Sequence, residues 1–175
     1  APFLYARRIS KIDIVVLTHP HPDHLQGLIY IINHFGVQEA WCTGWKSDDD
    51  LYRLWEKALS DHHVKVRHLS SESPRRYLAG TVIDVFWPLR TPPSSDRKFS
   101  YDELNDSSLV MKISYGTKGF LVTGDISSRV ESLLVHSGRD IRSDLLFVPH
   151  HGSADSNSEI FIQAVSPRHA IISSG

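Results

Sequence analysis

The residues best suited to metal chemistry form a cluster of three histidines and one aspartate. His19, His21, Asp23 and His24 lie within six positions, directly after the apolar residues 12–18. Residues two apart on an extended backbone point the same way, so His19 and His21 can hold one ion. Asp23 and His24, turned away by the start of a helix, can hold a second. Buried imidazoles and carboxylates are costly unless they are paired, and a metal ion commonly satisfies several together.

Two further polar groups follow apolar segments much later in the chain. Asp125 follows residues 120–123 and a glycine, and the pair His150-His151 follows residues 145–148. Layered α/β folds place their sites at the ends of strands. A lone histidine or a Gly-Asp turn is usually structural, so it is the grouping that favours a site. Imidazoles and carboxylates without sulfur suit Zn²⁺, Mn²⁺ or Fe²⁺.

The spacing of apolar residues predicts strands and helices that alternate along the chain. Strands are predicted at residues 12–18, 37–42, 64–69, 81–87, 108–115, 120–123, 144–148 and 170–173. Helices are predicted at about 23–36, 48–61, 128–136 and 158–165, and residues 89–100 are predicted to be a surface loop. Ser128 and Glu131 fit a capping box at the start of the third helix. This order indicates an α/β fold of sheet layers covered by helices.

Composition excludes several classes of protein. A length of 175 residues predicts a single domain over residues 1–175. A formal charge of −1 excludes a strongly basic protein that coats nucleic acid, and the single cysteine, Cys42, excludes a disulfide framework or a thiolate metal cluster within the chain. No apolar run approaches the roughly 20 residues of a membrane span, and the first residues lack the pattern of a signal peptide.

At these residues the sequence resembles the metallo-β-lactamase superfamily, whose signature is His-x-His-x-Asp-His. It is most similar to the C-terminal, nuclease-like domain of the ComEC competence proteins. The segments that carry this closer match are residues 17–24, 105–110, 120–125, 148–153 and 170–173. The resemblance implies an αββα sandwich. It also implies a fold incomplete at its N-terminal strands and C-terminus, because nothing here matches the strand pair ending in Asp-x-Gly that opens the superfamily fold.

The resemblance also implies a two-ion metal centre. The implied ligands of two divalent ions, Zn²⁺ or Mn²⁺, are His19 and His21 on the first ion, Asp23, His24 and His151 on the second, and Asp125 bridging both. The superfamily usually supplies a third histidine to the first ion. The matching region here contains Asn105 and Asp106 instead. We therefore expect the first ion to be held weakly or to be completed by water.

The implied reaction is hydrolysis without a side-chain nucleophile. Two ions about 3.5–4 Å apart lower the pKa of water toward ~7, which produces a hydroxide that attacks phosphorus or a carbonyl carbon. The implied catalytic residues are Asp23, Asp125 and His150, with His150 contacting a phosphate or moving a proton. The implied substrate contacts are Asn105, His150 and Ser153. Ser153 itself lacks the Gly-x-Ser-x-Gly context of a nucleophile.

The function implied by the resemblance is a nuclease that degrades single-stranded DNA during DNA uptake. Its parent chain would carry transmembrane segments and hold this domain at the extracytoplasmic face of the bacterial cell membrane. No protein partner can be inferred. Two alternatives remain open: a hydrolase of a small ester, lactone or phosphodiester, and a non-catalytic DNA-binding remnant. The loop cations that could contact phosphates are Arg75, Arg76, Arg97 and Lys98. The histidines without a partner at ligand spacing are His34, His62, His63, His68, His136 and His169.

Overall fold

Two β-sheets lie face to face between two layers of helices in the computed structural model, which describes residues 2–92 and 98–173. The strands in these ranges are Lys11–Val16 (β1), Gly36–Cys42 (β2), Lys65–His68 (β3), Arg76–Leu78 (β4), Thr81–Trp87 (β5), Val110–Tyr115 (β6), Lys118–Val122 (β7), Leu145–Phe147 (β8) and His169–Ile171 (β9). The α-helices are Pro2–Ala6 (α1), Pro22–His34 (α2), Asp50–Asp61 (α3), Tyr101–Asp106 (α4), Ser128–His136 (α5) and Glu159–Val165 (α6). This architecture confirms the predicted α/β sandwich.

The first sheet contains β1, β2 and β3, which are all parallel. Strands of parallel sheets are covered on both faces, which explains the continuous apolar run that precedes His19. A hydrophobic core lies between this sheet and its helices, where Val15 of β1 packs with Leu25 and Ile32 of α2 and Trp55 of α3. The carboxyl end of β1 is therefore held on its outer side by the helices that follow β1 and β2.

The second sheet has the order β4-β5-β6-β7-β8-β9. Its first four strands are antiparallel, whereas β7, β8 and β9 run parallel. Leu134 of α5 and Phe161 of α6 pack over Leu121 on its outer face, and Trp41 and Met111 belong to the core between the sheets. Because β7 and β8 are parallel, their carboxyl ends lie at the same edge of the sheet.

Three short elements, α1, β4 and α4, were not predicted from the sequence. Helix α4 begins at a capping box: Ser100 Oγ accepts a hydrogen bond from the Glu103 N–H, and the Glu103 carboxylate accepts one from the Ser100 N–H. Residues 89–100, which precede α4, are rich in proline and serine and indicate only a loop.

All of the elements are short, and among the described residues no helix has the length and apolarity of a membrane span.

The predicted capping box at Ser128 and Glu131 is wrong. Ser127 is the N-cap of α5, and its side chain makes no capping hydrogen bond. The Glu131 side chain is fully buried and accepts hydrogen bonds from the backbone N–H groups of Asn157 and Ser158. Glu131 therefore ties α5 to the residues that precede α6, because a buried carboxylate is best satisfied by several donors.

Candidate metal centre

The carboxyl ends of β1, β7 and β8 bring the three polar clusters together. After β1, His21 has an extended backbone and precedes Pro22 at the first turn of α2, where proline is well tolerated. The Leu109 N–H donates to the Thr18 carbonyl, at 2.9 Å, and so links the end of β1 to the residues before β6. The His150 N–H donates to the Gly124 carbonyl, at 3.1 Å, and links the segments after β7 and β8.

One part of the centre is a group of four facing ligand atoms. Four potential ligand atoms lie within 4.8 Å of one another, one from each of Asp23, His24, Asp125 and His151. Oδ2 of Asp125 lies 3.4 Å from Nε2 of both His24 and His151. Oδ2 of Asp23 lies 3.6 Å from Nε2 of His24 and 3.2 Å from Nε2 of His151. Two carboxylates and two imidazoles at these distances fit the donor set of a divalent cation.

The other part of the centre is buried. His19 and His21 are 1% and 3% exposed, and His19 Nε2 lies 3.1 Å from His21 Nδ1. The same His19 nitrogen lies 3.7 Å from Asp125 Oδ2, so Asp125 faces both parts. The side chain of Asn105, on α4, is also buried and lies beside His21. His19, His21 and Asn105 together form one wall beside the bridging position of Asp125.

Two polar atoms in this buried wall have no hydrogen-bond partner among the described residues. They are Nε2 of His21 and Oδ1 of Asn105. A buried polar atom without a partner costs about 1–3 kcal/mol, so such atoms need an explanation. A divalent cation would satisfy both, since each offers a lone pair. The residues present therefore fit a metal ion here as well, with an amide oxygen where the superfamily usually supplies a histidine.

Gly124 sets the backbone that presents Asp125. Its φ is +58°, and a Cβ at this position would lie 2.7 Å from both Cβ and Oγ of Ser108. Only glycine allows this approach. The Asp125 N–H donates to Ser108 Oγ, at 2.9 Å, and Ser108 Oγ lies 3.1 Å from Nδ1 of His19. Ser108 therefore positions a carboxylate and an imidazole at once, a role that the sequence motif alone did not reveal.

Thr18 supports the same imidazoles from the other side. Its hydroxyl lies 3.2 Å from Nδ1 of His19 and 3.3 Å from Nδ1 of His24. Hydrogen bonds at the second ring nitrogen orient a metal-binding histidine and select its tautomer. Asp106, by contrast, lies away from the centre, where it accepts hydrogen bonds from the Ser127 N–H and from the Arg129 guanidinium.

His150 and His151 lie in a short 3₁₀ segment, Pro149–Gly152, with unusual backbone angles. Their φ values are +49° and +53°, in the left-handed region that costs non-glycine residues energy. The His151 Nδ1–H donates to the Ser173 carbonyl, which leaves Nε2 facing the two carboxylates. The His150 ring centroid lies 6.4 Å from that of His151. Ser153 Oγ accepts a local hydrogen bond from the Asp155 N–H, and its substrate role stays a prediction.

Burial and charge shift the pKa values of the centre in opposite directions. Burial lowers the pKa of His19 to about 2, with a further contribution from His24, and burial also lowers the pKa of His21. Burial raises the pKa of the Asp125 carboxyl, but contacts with His24 and His19 outweigh it, so the pKa is lowered. At neutral pH the buried imidazoles are therefore neutral and Asp125 is ionised, which are the protonation states that bind metal.

His151 differs from the buried histidines. Burial lowers its pKa, but the hydrogen bond to the Ser173 carbonyl and the charges of Asp125 and Asp23 outweigh burial, so the pKa is raised. In the absence of an ion, these carboxylates therefore favour a protonated His151.

A cavity of about 390 Å³ opens beside the centre. Its polar wall includes Asp23, His24 and His151, and Phe120 and Phe147 contribute apolar surface. None of the proposed loop cations in the described ranges lines this cavity. Arg75 pairs with Asp84, Arg76 lies over the Trp41 ring, and Lys98 pairs with Asp48, whereas Arg97 lies outside the described residues.

The family is shown by comparison with known proteins. The model of the metallo-beta-lactamase superfamily matches residues 3–175. This chain belongs to the metallo-β-lactamase superfamily. The crystal structure of CmlA, a diiron β-hydroxylase from Streptomyces venezuelae, resembles 92% of this chain with a TM-score of 0.53 at 15% identity, over 35% of its own chain. That likeness supports the fold.

The curated relatives of this metallo-β-lactamase-like domain include competence proteins. Competence protein ComA of Neisseria gonorrhoeae is 42% identical over 175 residues, which is 99% of this chain and 22% of that protein. ComE operon protein 3 of Bacillus subtilis (strain 168) is 29% identical over 175 residues, 99% of this chain and 21% of that protein. The resemblance to ComEC-type proteins is thus confirmed. The chain spans about a fifth of the length of these relatives.

Proposed function

We propose that this domain is a phosphodiesterase that depends on divalent metal ions and hydrolyses single-stranded DNA. The observation that carries the proposal is the convergence of imidazoles and carboxylates from three strand ends. Three polar atoms of the centre have no hydrogen-bond partner among the described residues: Nε2 of His21, Nε2 of His24 and Oδ1 of Asn105. Such a donor set fits a pair of divalent ions, Zn²⁺ or Mn²⁺. Bound ions would supply an activated water and neutralise the charge of a phosphate.

We assign the ligands to two positions on either side of Asp125. His19, His21 and Asn105 form the buried position, and Asp23, His24 and His151 form the open one, with Asp125 shared. Asp125 is suited to this because its Oδ2 lies within 3.7 Å of imidazole nitrogens on both sides. Its ionised state, favoured by those imidazoles, also lets it orient a water molecule by accepting a hydrogen bond.

His150 and Asp23 are assigned to the substrate side of the reaction. The His150 N–H donates to the Gly124 carbonyl, which fixes the His150 backbone beside the residue that precedes Asp125. From there its imidazole can contact a phosphate oxygen or move a proton to the leaving oxygen. The Asp23 side chain is 55% exposed, so it can accept a proton from the attacking water at the open mouth of the cavity.

The choice of DNA is supported by the competence proteins among the relatives. One of these relatives is named competence protein ComA, and the similarity to each of the two spans 99% of this chain. We therefore assign the domain to DNA handling during uptake, as one part of a longer, membrane-associated protein. The proposal places it on the extracytoplasmic side of the membrane, where incoming DNA is met.

The direct test is hydrolysis of a labelled single-stranded oligonucleotide by the purified domain with Mn²⁺ or Zn²⁺. We expect cleavage that chelator abolishes and added metal restores. An equal amount of a lactone and of a small phosphodiester serves as the comparison. Turnover of the small substrates without cleavage of DNA would replace the proposal with the small-substrate alternative. Absence of all three activities in the metal-loaded domain would favour a non-catalytic DNA-binding remnant.

Salt dependence separates a DNA substrate from a small one. Each phosphate contact with a single strand contributes a slope of about −0.7 in log affinity against log salt. Because the described cations Arg75 and Lys98 are paired with carboxylates, we expect a shallow but measurable slope. Oligonucleotide binding measured across a salt series checks this expectation, and a flat response contradicts it.

A further inference from the structure

Tyr101 is an exposed aromatic residue that stacks on a histidine of the metal centre. Its ring lies on the His21 ring, with a centroid distance of 3.7 Å and an interplanar angle of 16°. His21 is 3% exposed, whereas Tyr101 is 61% exposed. One face of the tyrosine ring therefore lies against the centre, and most of the residue remains open to solvent.

Helix α4 holds Tyr101 in this position. Tyr101 directly follows Ser100, whose reciprocal hydrogen bonds with Glu103 fix the start of the helix. Asn105 lies one turn later, so the two residues share a helix face and both interact with His21. The ring is thus positioned by the same short helix that closes the buried wall of the centre.

The Tyr101 ring offers an uncharged aromatic surface fixed beside the centre by its stacking on His21. Such a surface can stack on a base whose phosphate is bound nearby.

We propose that Tyr101 stacks on the base of an unpaired nucleotide whose phosphate binds at the metal centre. This inference rests on the proposed function and makes Tyr101 a specificity-determining residue. Bases inside a duplex already stack on their neighbours, so a protein ring at this place selects a single strand or a frayed end. Exposure alone does not distinguish Tyr101, because Tyr77 and Tyr115 are also exposed. Neither of those two tyrosines stacks on a residue of the centre.

The test measures binding of two strands that have the same backbone. One is a fluorescent single-stranded oligothymidylate with phosphorothioate linkages, which resists cleavage, and the other carries abasic sugars instead of bases. Binding to the Mn²⁺-loaded domain is followed by anisotropy for the wild type, Tyr101→Ala, Tyr101→Phe and Tyr115→Ala. Tyr115 is the matched control, since it is similarly exposed at the far end of β6.

We expect Tyr101→Ala to weaken binding of the base-bearing strand by about 5- to 100-fold, the usual loss when a stacking ring is removed. Binding of the abasic strand should not change. Tyr101→Phe, which keeps the ring, and Tyr115→Ala should behave as the wild type. Mn²⁺ affinity, measured by calorimetry, should be unchanged in Tyr101→Ala.

Three results would overturn the inference. Unchanged binding of the base-bearing strand by Tyr101→Ala would show that the ring does not stack on substrate. An equal loss on both strands, or a loss of Mn²⁺ affinity, would show that Tyr101 only protects His21. If the wild type still binds and cleaves DNA in any of these cases, the inference about Tyr101 fails but the proposed function stands. A wild type that neither binds nor cleaves any strand would instead contradict the proposed function itself, and the inference with it.

Discussion

The two halves of the candidate metal centre differ in how far their side chains are buried. The buried half, formed by His19, His21 and Asn105, is at most 4% exposed and contains two unpartnered atoms. The open half, formed by Asp23, His24 and His151, has side chains that are 21–55% exposed, and it contains one unpartnered atom, Nε2 of His24. Asp125 lies between them and contacts both.

Because of this difference, and because they carry different charges, we expect the two halves to bind ions with unequal affinity. The open half combines two carboxylates with two imidazoles when Asp125 is included, and such a set neutralises the charge of a divalent ion. The buried half offers one shared carboxylate, two neutral imidazoles and an amide. An ion that enters the buried half must give up its bound water, and the single carboxylate there compensates less of that cost than the two carboxylates of the open half do. We therefore expect the open half to fill first and the buried half to fill second.

Removal of the shared carboxylate should have the largest effect. Asp125→Ala should abolish binding at both halves and lower DNA hydrolysis by on the order of 10³-fold or more, because metal ions supply several kcal/mol to such reactions. Metal content and initial rates are the measurements. His34→Ala is the control, since His34 is exposed and its Nδ1–H donates to the Tyr30 carbonyl on the same helix. Equal losses in the two variants would indicate damage to the fold.

Substitutions of Asn105 should change ion binding at the buried half alone. Asn105→Ala should lower the affinity of the second, weaker ion by about 10- to 100-fold and leave the first ion unaffected. Asn105→Asp should strengthen the second ion, because it adds a negative charge at the same place. Two-phase calorimetric titration with Mn²⁺ separates the two events. If Asn105→Ala weakens the tighter ion instead, the assignment of the halves is reversed.

Ser108 couples the halves through His19 and the backbone of Asp125. Ser108→Ala removes the hydroxyl that contacts both, and we expect about a tenfold loss of metal affinity. Ser114→Ala, on β6 away from the centre, should have no such effect. An unchanged metal affinity in Ser108→Ala would show that Thr18 alone is enough to orient His19.

The halves should also respond differently to pH. Without an ion, protonated His151 is stabilised by its carboxylate partners. The contribution of this pairing to the free energy of unfolding is complete below about pH 6.5. It is lost as the pH rises through the raised pKa of His151. Ion binding at the open half needs the neutral ring, so its affinity should fall between two- and tenfold from pH 7.5 to 6.5. The lowered pKa of His19 predicts no such contribution at the buried half. Titrations at both pH values test this difference.

The sequence allowed the strand-end clusters and the layered fold to be predicted because both depend on local patterns. An apolar run followed by His-x-His-x-Asp-His shows its strand, its turn and its ligand types within about twelve residues. The roles of Ser108 and Tyr101 could not be predicted in this way. Ser108 contacts His19 and the backbone of Asp125, and Tyr101 contacts His21. These partners are far apart in the sequence, so their contacts leave no periodic pattern in it.

Glu131 shows how a correct local pattern can lead to a wrong structure. Its spacing from Ser128 fits a capping box, yet its carboxylate reaches the residues before α6. The pattern does not reveal which backbone donors are left unpaired after the helices pack. Ser100 and Glu103 form a capping box of the same type, and this one was missed because the residues before it indicate a loop.

Anomalous diffraction from crystals grown with Mn²⁺ would locate the bound ions directly. We expect two peaks, one on either side of Asp125. The stronger peak should lie among Asp23, His24 and His151, and the weaker one beside His19, His21 and Asn105. A single peak remote from Asp125, or a stronger peak in the buried half, would contradict it.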